Sequence, residues 1–166
     1  MFTDIVGYSV MANKDQEHAL ELLSTHDSII EPIISQYEGK VIKKIGDSIF
    51  AEFPNPQASI QAAQEVQTQL TTRNAVCNTI DLIQIRIGLH YGEVIRKEGD
   101  LFGHDVNLRS RIESVAPGGG IAASAELIQS LPEVTEIPTR EMGYVKLKNI
   151  THPQQIYKIY SNPKEY

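Results

Sequence analysis

The 166-residue sequence contains one cysteine, Cys77, and no tryptophan. A single cysteine excludes an intramolecular disulfide framework and a zinc site built from cysteines, and it favours a reducing, cytoplasmic location. Lysine and arginine do not occur in runs longer than two, and the formal net charge is −6. We therefore expect no basic surface for a nucleic acid or for an anionic membrane.

Long apolar runs are also absent. No stretch approaches the ~20 apolar residues of a membrane span, and the opening MFTDIV lacks the basic region of a signal peptide. The length suits one domain with a full core, so we expect residues 1–166 to form a single domain. Because the sequence opens directly on a strand pattern, we expect this domain to belong to a longer protein, in which a sensor or regulatory domain could lie outside these residues.

The apolar pattern predicts an alternation of strands and helices. Segments with a period of two residues predict strands over 1–6, 41–45, 49–53 and 82–87. Two segments with helical spacing lie between them, one capped by Asn13 and one capped by Asn55 with Pro56 at its first position. The resulting order, β-α-β-β-α-β, is that of the ferredoxin-like α+β fold.

The remaining residues predict an extension of this core. A polar connection is expected over 71–81, and a short helix over about 103–115. A helix and strands complete the C-terminal part: a brief strand near Ile121, a helix from Ser124, and closing strands near 143–148 and 155–160.

The stretch VIKKIGDSIFAEF, residues 41–53, predicts a hairpin with Gly46 and Asp47 in its turn. In a β-α-β-β layout this turn lies beside the end of the first strand, where Asp4 stands. Two carboxylates without a positive partner nearby in the sequence repel each other unless a cation lies between them. Oxygen ligands of this kind suit Mg²⁺ or Mn²⁺, although an ordinary solvated turn has the same residues.

A second group of polar residues lies in GDLFGHDVNLRSRIES, residues 99–114. Asn107 and Arg111 are four residues apart on a predicted helix, so they project from one face. An amide beside a guanidinium can orient an oxygen and neutralise a phosphate. Asp100 stands at the entry to the same unit. An amphipathic surface helix remains the alternative for this segment.

Four motifs of the sequence resemble those of the class III nucleotidyl cyclases. FTDIVGYS, VIKKIGDSIFAEF, RIGLHYGEV and GDLFGHDVNLRSRIE occur in the family's order and with its internal spacing, and GYVKLKNITHPQQIYKIY resembles its C-terminal strands. The resemblance covers nearly the whole chain. It implies the cyclase homology domain, a ferredoxin-like core with a C-terminal helix and strand extension.

The resemblance also implies roles for individual residues. Asp4 and Asp47, with the Ile5 carbonyl, match the ligands of two divalent cations. The other matches are the phosphate-binding amides of Gly7, Tyr8 and Ser9, the base-reading Lys43 and its acidic partner Asp100, the transition-state pair Asn107 and Arg111, and the phosphate-contacting Lys148. Ser48, Arg109 and Asn149 depart from the family pattern.

The activity implied by this resemblance is that of an adenylate cyclase, which converts ATP to cyclic AMP and pyrophosphate in a head-to-tail homodimer. Lys43 and Asp100 offer a donor and an acceptor, which complement adenine, whereas guanine reverses the pattern. A guanylate cyclase and a catalytically silent, dimerising or nucleotide-sensing cyclase-like domain remain alternatives. A ferredoxin-like RNA binder is disfavoured by the acidic charge and by the lack of paired exposed aromatics on the strands.

Overall fold

The computed structural model describes residues 1–92, 95–97, 100–102, 104–133 and 136–162. For residues 95–97, 100–102, 104–107 and 109 only the backbone is described. The strands are β1 (Phe2–Ile5), β2 (Lys40–Ile45), β3 (Ser48–Glu52), β4 (Ile85–Leu89), β5 (Ile95–Lys97), β6 (Asp100–Phe102), β7 (Ile121–Ser124), β8 (Thr139–Val145) and β9 (Gln154–Ile159). The helices are α1 (Tyr8–Lys14), α2 (Gln16–Gln36), α3 (Pro56–Asn74), α4 (His104–Glu113) and α5 (Ala125–Gln129).

The first four strands form an antiparallel sheet in the order β2-β3-β1-β4. This order confirms the predicted ferredoxin-like core. The sheet continues through β7, which pairs parallel with β4, and then through β9 and β8. A separate two-stranded hairpin, β5-β6, was not predicted from the sequence.

Helices cover both faces of the sheet. On one side, α2 and α3 enclose the larger apolar cluster, which includes Ile30, Ile60 and Ile87. On the other side, α4 contributes Leu108 and Ile112 to a smaller cluster. Because successive strand residues point to opposite faces, each sheet position belongs either to this α2/α3 face or to this α4 face.

The long helix α2 begins at a different cap from the one that the sequence predicted. The side chain of Asp15 accepts a hydrogen bond of 3.0 Å from the backbone N–H of His18. Asn13 lies instead within the short helix α1, so the prediction of an Asn13 cap is wrong. The cap at Asn55 is confirmed, since its side chain accepts from the Ala58 N–H at 2.8 Å.

Other boundaries also differ from the prediction: the strand expected over 82–87 is β4 at Ile85–Leu89, and the strand expected near 143–148 already begins at Thr139. Helix α3 continues to Asn74, whose side chain hydrogen-bonds both the N–H and the carbonyl of Ile83 and so fixes the helix end against the next strand. Strand β8 ends at Val145, because Leu147 is buried in a turn closed by the Ile150 N–H donating to the Leu147 carbonyl. In the sequence, Leu147 continues the alternation of apolar residues beyond Val145, and for this reason a longer strand was predicted. Within the described residues, no helix has the length and apolar character needed to cross a membrane.

Candidate active site

Two carboxylates meet where β1 ends. Asp4 is the third residue of that strand, and Asp47 lies in the turn between β2 and β3. The Ile5 N–H donates a 2.9 Å hydrogen bond to Asp47 Oδ2, which ties the turn to the strand. Burial raises the pKa of Asp47, and the negative charge of Asp4 adds to the increase, while the bond from Ile5 opposes it. The structure therefore brings Asp4 and Asp47 together at one end of the sheet, where the sequence predicted them.

A cation that the sequence analysis missed lies beside them. Arg86 Nη2 is 2.6 Å from Asp4 Oδ2, because β1 and β4 pair with Asp4 directly opposite Arg86. The pair has no positive partner nearby in the sequence, but the fold brings one from a residue far along the chain. The sequence does contain a signal for this residue, since Arg86 is a charged residue between the apolar Ile85 and Ile87 of a central strand.

Glu113, at the end of α4, lies on the other side of this guanidinium. Its Oε1 is 3.1 Å from Arg86 Nε, without the alignment of a hydrogen bond. Glu113 is only 5% exposed. Burial raises its pKa to about 7, the charge of Asp4 adds to the increase, and Arg86 opposes it. Arg86 thus lies between two acids, Asp4 and Glu113.

The pKa of Glu113 predicts how stability depends on pH. A carboxyl whose pKa is raised in the folded state costs stability as pH rises from its ordinary range to the folded pKa, here about 7. Glu113→Gln cannot ionise. Between pH 5 and pH 8 its unfolding free energy should therefore improve by about 2 kcal/mol relative to the parent.

Chemical denaturation of both proteins in EDTA-containing buffers across this pH range measures the difference. The sign follows because the unfolded parent releases its proton at lower pH than the folded parent does. A constant difference between variant and parent at all pH values would contradict the raised pKa.

The carboxylate pair has the chemistry of a site for hard divalent cations. Within the part of the chain that the structure describes, no three His, Cys, Asp or Glu side chains converge on a metal position. Asp4, Asp47 and the Ile5 carbonyl would offer a cation only oxygen donors, which suits Mg²⁺, an ion that keeps several waters among its ligands. The hydroxyl of Ser48 is 3.5 Å from Asp4 Oδ1.

The predicted phosphate-binding residues lie directly after β1. Gly7 has a left-handed backbone with φ 74° and precedes the first residue of α1. A residue with a Cβ adopts this conformation only at a cost. No side chain caps this helix start, and Tyr8 and Ser9 occupy its first turn. The chain thus turns sharply at the carboxylate pair.

The other predicted residues come from three further elements. Lys43 is exposed on β2 opposite Phe50, on the α4 face that also carries Asp4 and Arg86. Arg111 is half-buried in the last turn of α4. Asp100 belongs to β6 and Asn107 to α4, but their side chains lie outside the described residues, as does that of Arg109.

Lys148 is the predicted residue that the structure does not bring to this site. It is exposed in the turn after β8, followed by Asn149 with a left-handed φ of 63°. β8 is four strands away from β1 in the sheet, a separation of about 19 Å at the usual strand spacing. The strand directions also place Lys148 at the opposite end of the sheet from Asp4. Within one chain these two residues lie far apart.

Comparison with known proteins decides the family. The model of the adenylate and guanylate cyclase catalytic domain matches residues 1–161. The chain belongs to this family. The resemblance to class III nucleotidyl cyclases is therefore confirmed, and the carboxylate pair, Arg86 and Lys43 lie within a cyclase catalytic domain.

Individual cyclases are similar to this chain in fold or in sequence. The crystal structure of an adenylate/guanylate cyclase/hydrolase from Silicibacter pomeroyi is 30% identical, with a TM-score of 0.82 over 95% of this chain and 92% of that one. The guanylyl cyclase Cya2 has the same fold at 21% identity, with a TM-score of 0.78 over 95% of this chain and 88% of that one. Adenylate cyclase from Streptomyces coelicolor is 24% identical over 141 residues, which are 84% of this chain and 35% of that protein.

The cyclase domain is one part of its curated relatives. This chain spans between 17% and 41% of the length of those it matches. One of them is the serine/threonine-protein kinase pkn2 of Myxococcus xanthus, 26% identical over 161 residues, which are 95% of this chain and 19% of that protein. This chain therefore corresponds to a nucleotidyl cyclase catalytic domain, and these relatives contain additional sequence outside that domain.

Proposed function

We propose that this chain is the catalytic domain of an adenylate cyclase, which forms 3′,5′-cyclic AMP and pyrophosphate from ATP. The observation that carries this proposal is the joining of Asp4 and Asp47 at one sheet edge within a cyclase domain. The reaction is an intramolecular phosphoryl transfer. The ribose 3′-oxygen forms a bond to the α-phosphorus, the bond from that phosphorus to the pyrophosphate oxygen breaks, and the hydroxyl proton is released.

The carboxylate pair would hold the cations that this chemistry requires. Asp4, Asp47 and the Ile5 carbonyl are the residues that would hold two divalent cations, Mg²⁺ or Mn²⁺. Bound there, such cations lower the pKa of the 3′-hydroxyl and offset the charge of the triphosphate. Burial raises the pKa of Asp47 and the charge of Asp4 raises it further, which supports this role because a cation bound at the pair would offset both effects. Arg86 engages Oδ2 of Asp4, so a metal would bind Oδ1, which the Ser48 hydroxyl approaches at 3.5 Å.

Other residues of the chain orient the substrate. The N–H groups of Gly7, Tyr8 and Ser9 donate to phosphate oxygens. Asn107 holds the ribose in line for attack, and Arg111 neutralises the charge that develops at the transferred phosphorus. Lys148 binds the distal phosphates.

Base selection rests on Lys43 and Asp100. Lys43 donates to adenine N1, and Asp100 accepts from the exocyclic amine. GTP presents the reversed pattern and would leave these groups without partners, which disfavours it. The exposed position of Lys43 on the α4 face of the sheet, rather than in the core, is compatible with contact to a nucleotide.

The site forms between two chains. Lys148 lies about 19 Å away across the sheet from β1, at the opposite sheet end, so a second copy must supply the lysine that meets the phosphates beside Asp4. A head-to-tail homodimer places two such sites at one interface. This arrangement makes the isolated chain inactive.

Product identification tests the proposal. The chain at high concentration is incubated with ATP or with GTP in the presence of Mn²⁺, and the nucleotides are separated by chromatography. We expect cyclic AMP from ATP, at least about 10-fold less cyclic GMP, and no product in excess EDTA. Preferential use of GTP would identify a guanylate cyclase. The absence of both products, while size analysis shows dimers, would indicate a silent cyclase-like domain.

A further inference from the structure

A second lysine, Lys44, follows the proposed base-reading residue and is bound to acids of helix α2. Its Nζ is 2.8 Å from Asp27 Oδ2 and also contacts Glu31 Oε1. The hydrogen bonds to Asp27 and Glu31 raise the pKa of Lys44. The other oxygen of Asp27 accepts a 2.9 Å hydrogen bond from Nδ1 of the fully buried His26. Asp27 is therefore held in place from both sides.

The ion pairs of Lys44 with Asp27 and Glu31 are too exposed to add much to the free energy of unfolding. The Lys44 side chain is 42% exposed and that of Glu31 is 41% exposed. Pairs of this kind typically contribute less than about 1 kcal/mol. Their geometric consequence is larger, because the residue that they bind is next to Lys43.

The two lysines lie on opposite faces of the sheet because they are successive strand residues, and a bulge in β2 decides which of them lies on which face. Lys44 pairs opposite Ile49, whose side chain belongs to the apolar cluster on the α2/α3 face. Lys43 pairs opposite Phe50, on the α4 face. The register shifts between Val41 and Lys43, where one extra residue is inserted.

A β-ladder without the bulge would place each of the two lysines on the sheet face that the other occupies now. Continued without the bulge from the pair Val41 and Ala51, the strand would place Lys43 opposite Ile49, towards the acids of α2. Lys43 carries the same charge as Lys44, so Asp27 and Glu31 would attract it equally well. The sequence Lys-Lys thus permits two registers, and only one of them leaves Lys43 on the face of the carboxylate pair.

We propose that Lys44, by occupying Asp27 and Glu31, keeps Lys43 in the register that reads the nucleotide base. Lys44, Asp27 and Glu31 are then positioning residues for base selection. This inference rests on the proposed function for its effect on activity. The register itself is a property of the hairpin and can be observed without substrate.

The first test replaces Lys44 by methionine, which keeps the length of the side chain but removes its charge. In K44M the vacated acids attract Lys43, so KM for ATP should rise and the ratio of kcat/KM for ATP over GTP should fall about 10-fold, the scale of one specific hydrogen bond. K40M is the matched control, because Lys40 is an exposed lysine of the same strand, opposite Glu52. It should keep the parent's ratio.

The second test removes both the charge of Lys44 and the negative charges of Asp27 and Glu31 that would attract Lys43. The triple variant K44M/D27N/E31Q leaves no acid to bind Lys43, so the ATP preference should recover to within about 3-fold of the parent, since neutral pairs hold a lysine far less strongly. A merely stabilising role for the ion pairs predicts the opposite result, a further loss with each substitution. Thermal unfolding of every variant verifies that it is folded. An unchanged ratio in K44M, or no recovery in the triple variant, would overturn the proposal.

Cross-strand NMR contacts separate this inference from the proposed function. In the parent the backbone of Lys43 should contact that of Phe50, and in K44M that of Ile49. If K44M keeps the contact to Phe50, the proposal is wrong, whatever the activity. If the parent makes no cyclic nucleotide but K44M changes register, the proposed function fails and the control of register by Lys44 stands.

Discussion

Replacing Asp47 by alanine is expected to lower cyclic AMP formation at least about 1,000-fold while the chain stays folded. The substitution removes one of the two carboxylates that hold the cations. It also removes an acid whose pKa is raised by burial and by the charge of Asp4, so relief of repulsion offsets the lost bond from the Ile5 N–H. The net change in unfolding free energy should stay within about 1 kcal/mol.

Two further variants distinguish the metal role from the structural role of Asp47. Asp47→Asn keeps an oxygen that can accept from the Ile5 N–H but loses the charge, so it should be nearly as inactive as the alanine variant. Glu17→Ala removes an exposed acid from the first turn of α2 and should keep full activity. Cyclic AMP assays over a range of Mn²⁺ concentrations measure all three. Parent-like activity of Asp47→Asn would show that the carboxylate does not bind a required cation.

A mixture of Asp47→Ala and Arg111→Ala chains is expected to regain activity that neither variant has alone. We assume that each site takes Asp47 from one chain and Arg111 from the other. In a mixed dimer, one site then lacks both residues, and the second site has both. Random exchange makes half of the dimers mixed, with one intact site each. Activity should therefore recover to about a quarter of the parent value, and it should rise with protein concentration because dimers form by mass action.

Lys148→Ala provides an independent second partner for the same experiment. Arg111 interacts electrostatically with Glu113 of its own chain, so its loss could disturb α4, whereas Lys148 is exposed in a turn. Mixing Asp47→Ala with Lys148→Ala should give recovery as well. If both mixtures stay as inactive as their components, while mass analysis shows mixed dimers, the residues act within one chain and the shared site is wrong.

The core could be predicted from the sequence because its signals are local. The alternation around Gly46 and Asp47 predicts a hairpin, and the pair Asn55 and Pro56 predicts a helix start, and both are seen in the structure. The hairpin β5-β6 was missed because its strands have only three residues each. The predicted end of β8 was too late in the sequence because Leu147, which is buried in a turn, has the spacing of the next inward-facing residue of a strand.

Parts of the candidate site depend on which strands become neighbours. The pairing of Asp4 with Arg86 joins residues far apart in the sequence and exists only because β4 lies against β1. The raised pKa of Glu113 requires that α4 pack over the same position. Likewise, no local pattern decides which of the lysines 43 and 44 faces the site, because the bulge between Val41 and Lys43 reverses the simple alternation.

Asn149 has a consequence for the freedom of the chain beside Lys148. Its backbone is left-handed at φ 63°, a conformation that asparagine adopts more readily than most residues with a side chain. Glycine would enter this conformation more easily but would also sample many more conformations in an unfolded or loosened turn. Asparagine therefore restricts the conformations open to this turn. If Lys148 binds the distal phosphates as proposed, ordering the turn would then cost less conformational entropy.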